Sequence, residues 1–152
     1  MLHKDRSDDL SVPNSIKKSS YTWCLRYRSL FEKIESDEEL RASLKKYSVY
    51  AKPAENLLGI IKVLNNCMHK AYECGVVVAN YREVVESAGL SEGAVDEPSS
   101  EWAQYLTEDQ LLACMAWHFR RDYFNNGSWI SDSVANGYML TLVLYGTCFL
   151  LN

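Results

Sequence analysis

From Glu83 to Phe119 this 152-residue sequence contains no lysine and no arginine. The absence rules out a basic nucleic-acid face over that segment, which still carries eight carboxylates: Glu83, Glu86, Glu92, Asp96, Glu97, Glu101, Glu108 and Asp109. Also missing is any apolar run close to the roughly 18 residues of a membrane-spanning helix. The longest candidate, Tyr138 to Leu151, is broken by Thr141, Gly146 and Thr147 and reads as a buried terminal helix. No apolar stretch of the secretory type follows Met1. No metal, nucleotide or nucleophile signature is complete anywhere. The five cysteines, Cys24, Cys67, Cys74, Cys114 and Cys148, are odd in number and scattered through apolar patterns. The expectations are a cytoplasmic protein with reduced, buried thiols, no membrane association, no metal and no cofactor. Cys67, His69 and Cys74 could begin a zinc site, but no second ligand pair follows at finger-like spacing.

What is present is an aromatic-rich core. Hydrophobic residues make up 47% of the chain and include four tryptophans and ten tyrosines, enough for one domain that folds without staples. Residues 1–19 are polar and expected to be loosely ordered, with a single helical domain over 20–152. Helical spacing runs through Trp23, Leu25, Tyr27, Leu30, Phe31 and Ile34, and again through Leu40, Leu44 and Tyr47 after a capping box at Ser36-Asp37-Glu38-Glu39. A broad stripe from Leu57 to Tyr72, with Pro53 ahead of it and Gly75 closing it, predicts the longest, central helix. Val76-Val77-Val78 favours a short extended segment. Asn80-Tyr81-Arg82-Glu83 opens a short helix that Gly89 ends, and Thr107-Glu108-Asp109-Gln110 caps a longer one. Between them, about 90–106, no periodicity holds, and an acidic surface loop pinned by Trp102 and Tyr105 is expected. The fold class is therefore all-α, or α with one minor β element, as a compact bundle of six or seven helices.

The net charge of −4 is unevenly distributed. Residues 1–82 hold 14 Lys and Arg against 10 Asp and Glu, and residues 120–152 balance at two against two. All the excess negative charge thus lies in the cation-free segment. Its bland explanation is a solvated loop beside two acidic helix starts; its sharper one is an acidic surface offered to a basic protein partner. On that reading the binding residues are Glu92, Asp96, Glu97, Glu101, Trp102 and Tyr105. Direct nucleic-acid binding is disfavoured by the acidic pI of 5.4, although Lys17-Lys18, Arg26, Arg28 and Lys45-Lys46 interleave with aromatic residues.

Polar and charged residues crowd most densely into the turn Arg120-Arg121-Asp122-Tyr123-Phe124-Asn125-Asn126-Gly127. His118 and Asp122 lie four apart, on one face of a continuing helix. A catalytic reading makes His118 a general base oriented by Asp122, with Arg120 or Arg121 holding an anion. The architectural reading makes Asp122 a cap or an arginine partner and His118 a semi-buried polar residue, with Phe124 in the core. Ser128 reads as an N-cap. Asn126-Gly127 and Asn136-Gly137 are pairs expected where the chain turns through positive φ.

Arg120, Asp122, Phe124, Gly127, Gly137, Leu140 and Leu144, together with the apolar lead Gly75-Val76-Val77-Val78, resemble the signature of an uncharacterised bacterial family, domain of unknown function 6508, over about residues 57–151. Arg121, Tyr123, Asn80-Tyr81 and Tyr145 depart from its pattern. The family lends no activity. The expected function is that of a non-enzymatic accessory protein of bacterial or phage origin which binds a macromolecule, in its specific form an inhibitor of a host defence system acting through an acidic surface. The alternative is a small enzyme or ligand-binding domain centred on residues 118–127.

Overall fold

The computed structural model describes residues 12–124 and 127–149, with only the backbone described at 123, 124 and 149. The expectations for residues 1–11, for the burial of Phe124, for the turn residues Asn125 and Asn126 and for Leu151 fall outside the described residues. Within them the protein is all-α, with no strand. Six helices have seven residues or more: α1 (Asn14–Glu35), α2 (Glu38–Lys45), α3 (Leu58–Glu73), α4 (Tyr81–Ser87), α7 (Glu108–Phe124) and α8 (Tyr138–Phe149). Two shorter ones, α5 (Glu92–Asp96) and α6 (Ser100–Ala103), lie between α4 and α7, and a π-helical turn over Trp129–Val134 joins α7 to α8. No described helix is long and apolar enough to cross a membrane.

The longest helix is α1, not α3. It starts at Asn14 rather than near Tyr21, because its polar first turns are held by tertiary partners. Ser19 Oγ donates to the Cys74 carbonyl at 2.8 Å, Lys17 Nζ lies 3.4 Å from Asp109, and the Val12 amide donates to Asp109 Oδ1 at 3.2 Å. Residues 12–19, expected to be loose, are thus held in place, and Val12 is itself buried.

The core is aromatic. From α1, Trp23 meets Tyr27 and Phe31, and its ring lies edge-on to Phe119 of α7 at 5.5 Å. Phe119 in turn stacks on Trp129 of the π-helical turn at 5.2 Å. The Trp23 indole donates to the Cys67 carbonyl at 3.0 Å, which ties α1 to α3 without leaving a buried N–H unpaired. Helices α7 and α8 form the buried centre, with Leu111 through Met115 and Met139, Leu142 and Val143 all inaccessible. Helix α8 packs along α1 because Gly146 has no side chain: a Cβ there would stand 2.7 Å from Cys24 Sγ.

The caps decide the boundaries. Thr107 and Gln110 form the full reciprocal box, Gln110 N to Thr107 Oγ1 at 3.2 Å and Thr107 N to Gln110 Oε1 at 3.0 Å. The expected box at Ser36 is displaced by one residue, since Asp37 accepts from the Leu40 amide at 3.0 Å while Ser36 Oγ bonds back to the Lys33 carbonyl. Asn80 occupies its N-cap position without a capping bond from its side chain. Residues 90–106 are not a loop throughout: Ser91 caps α5 and Ser99 caps α6, and Val95 and Ala103 anchor the two short helices in the core. Val76 to Val78 form a tight turn, Val78 N to the Val76 carbonyl at 3.1 Å, rather than a strand. Cys24, Cys67 and Cys114 are buried free thiols, with burial pushing Cys24 and Cys114 up to about 12 and Cys67 upward too. Cys74, half-buried, and Cys148, exposed, depart from the expectation.

Candidate functional site

The second half of α7 aims its side chains in two directions. His118 points inward and is completely buried. Its Nε2 lies 2.7 Å from the Val95 carbonyl, which can only accept, so Nε2 carries the proton. Nδ1, 2.7 Å from Ser133 Oγ, then accepts from that hydroxyl. A neutral imidazole therefore bridges α5, α7 and the π-helical turn. Burial, more than the nearby Arg121, lowers its pKa to about 4, the Val95 bond opposing the shift. Both ring nitrogens are occupied and the ring is closed to solvent.

Asp122 turns towards the chain that follows. Its Oδ1 accepts from the Trp129 amide at 3.0 Å and so caps the π-helical turn, the role the architectural reading assigns to it. Ser128, expected as that cap, makes no capping bond. Gly127 crosses at φ +85° against the Tyr47 ring, where a Cβ would come within 3.1 Å. His118 and Asp122 share α7 but serve separate structural contacts, so they do not present the open acid–base face of the catalytic alternative. Arg120 hydrogen-bonds the hydroxyl of Tyr72, whose pKa burial raises and the arginine partly lowers.

Outward, Trp117, Arg120 and Arg121 share one face of α7 by their i, i+3, i+4 spacing. With Tyr81 and Arg82 of α4 and Asp96 of α5 they line a cavity of about 100 Å³. Asp96 Oδ1 accepts from the Trp117 indole at 2.8 Å and lies 3.7 Å from Arg121 Nη1. Arg121 Nη2 bonds Asp132 Oδ2 at 2.6 Å, and Asp132 Oδ1 accepts from Asn136 at 2.7 Å. One network thus ties α5, α7 and the π-helical turn together. Arg82 lies over two rings, 5.5 Å from the Tyr81 centroid and 5.3 Å from that of Trp117.

The residues expected on an acidic binding surface separate into two groups. Glu92, Glu97 and Glu101 are exposed, and Glu97 accepts from the Tyr138 hydroxyl at 3.1 Å. Tyr105 is 79% exposed. Asp96 is half-buried in the arginine network, and Trp102 is half-buried against the core. Sequence reasoning missed Ser133, Asp132 and Arg82. Each meets its partner across a break between elements, where neither period 3.6 nor a capping pattern carries a signal.

Among the described residues no group of three His, Cys, Asp or Glu is placed to hold a metal. Cys67 is buried whereas His69, two positions on, faces solvent and pairs with Glu73. Fold and site define a helical domain whose polar network is mostly internal, with a small arginine-lined cavity beside an exposed acidic segment. No family model, curated protein or solved structure matches the chain.

Proposed function

We propose that the protein works by binding a basic surface on another protein through residues 83–105, which run from α4 through α5 and α6. A single observation supports this: Glu83, Glu86, Glu92, Glu97 and Glu101 are all exposed in a segment without lysine or arginine, and Tyr105 stands exposed at its end. Interfaces favour such aromatic anchors, and unscreened charge of one sign speeds encounter with the opposite sign. In a bacterial or phage setting, inhibition of a defence protein whose basic surface normally holds nucleic acid is the specific form of this role. The enclosure of His118 and the capping role of Asp122 weigh against chemistry at that turn. The resemblance of residues 57–151 to domain of unknown function 6508 is compatible with this reading, since that family lends no activity against it.

The test replaces Glu83, Glu86, Glu92, Glu97 and Glu101 with glutamine and leaves Asp96 intact, because Asp96 holds Trp117 and Arg121. A partner captured by the wild-type protein is then measured for association rate across a salt series. The variant should associate about tenfold or more slowly at low salt and lose most of the salt slope. Equal on-rates and equal slopes would sink the acidic-interface reading.

A further inference from the structure

The cavity between α4, α5 and α7 concentrates charge of the sign opposite to its surroundings. Three guanidinium groups, Arg82, Arg120 and Arg121, line it against one carboxylate, Asp96; with Asp132, which pairs with Arg121 behind the lining, the excess is one positive charge, at the edge of the acidic segment. Its walls are aromatic. The Arg82 guanidinium is laid over Trp117 and Tyr81, which fixes the plane of its donors at the rim. Arg121 is clamped from behind by Asp132 through Nη2, while its Nη1 is left at 3.7 Å from Asp96, beyond hydrogen-bonding distance. Arg120, which also bonds Tyr72, adds its charge to the lining.

Size and the number of guanidinium donors choose the occupant. About 100 Å³ is the volume of roughly three liquid waters and well short of the roughly 300 Å³ at which pockets for drug-sized ligands begin, so a single ionic group fills it. A phosphomonoester carries about −1.5 to −2 charges at pH 7 and presents several strong acceptor oxygens to the planar donors of three guanidinium groups. A monocarboxylate offers two acceptor oxygens against the three of a phosphoryl group. We propose that this cavity binds a single phosphoryl group, either as free phosphate or as the monoester of a small molecule. The proposal does not rest on the acidic interface, although α4 and α5 carry both.

The full chain is titrated calorimetrically with inorganic phosphate, with phosphoserine and with acetate, each against chloride of matched ionic strength. Saturable one-to-one binding of either phosphorylated probe is expected, and whichever of the two binds more tightly identifies the source. Binding should strengthen as pH rises through about 6, where the second phosphate proton leaves. Arg82→Gln should weaken it about tenfold or more, and Arg82→Lys, which keeps the charge but not the planar fork, should weaken it less. Lys62→Gln removes one exposed positive charge from α3, outside the cavity, and should leave binding unchanged. Circular dichroism confirms that each variant is folded, and the Arg82→Lys arm decides the matter if Arg82→Gln is not. The proposal is overturned if neither phosphorylated probe saturates, if acetate binds as tightly as phosphate, or if the variants at Arg82 and Lys62 behave alike.

Discussion

His118 shows how a titratable side chain becomes a structural strut. Its neutral ring accepts from Ser133 and donates to Val95, so protonation would place a second N–H against the Ser133 hydroxyl and a charge in the core. The folded pKa of about 4 lies below the ordinary 6.5, so the unfolded chain binds more protons between those values. Its contribution to stability is complete above about pH 6.5 and is lost as pH falls towards 4, by about 3 kcal/mol in all. Urea unfolding between pH 7 and 4.5 should show the wild-type midpoint falling more steeply than that of His118→Gln; parallel curves would contradict this. Asp122 acts at the same scale through the bond it accepts from the Trp129 amide. Asp122→Ala should cost about 1 kcal/mol, or about 2 to 4 °C in melting temperature, and an unchanged melting temperature would remove its capping role.

At the scale of elements, what matters is where two helices touch. Helices α1 and α8 approach closely only because Gly146 faces Cys24. Neither helix can yield locally, as Cys24 is itself fully buried. Gly146→Ala should therefore cost about 1 to 3 kcal/mol by overpacking. The double variant Cys24→Ala/Gly146→Ala should be more stable than the two single losses add up to, and strict additivity in a double-mutant cycle would show that the contact is not tight. The sequence offered less warning here than at the helix ends. The reciprocal box of Thr107 and Gln110 closes within three residues and was legible. The short helices α5 and α6 were not, although Ser91 and Ser99 mark their starts. Their persistence depends on Val95 and Ala103 reaching a core built by other elements.

For the whole molecule, segregation of charge is the property most plainly written in the chain, because counting lysines and arginines needs no geometry. So too were the all-α class, which follows from apolar spacing, and the turns at Gly75, Gly89, Gly127 and Gly137, each at positive φ, where a residue without Cβ is the unstrained choice. These are local matters, fixed by what one residue and its near neighbours can do. Which carboxylates stay in solvent was not local. Asp96 and Glu97 are adjacent, yet one is drawn into the Trp117 and Arg121 network while the other remains exposed, and only the docking of α5 on α7 separates them. The meeting of Arg82, from the start of α4, with Arg120 and Arg121, from the end of α7, was likewise decided by tertiary structure. Like charges on distant segments have no attraction that would announce their convergence, and the burial of aliphatic and aromatic neighbours elsewhere in the core brings them together.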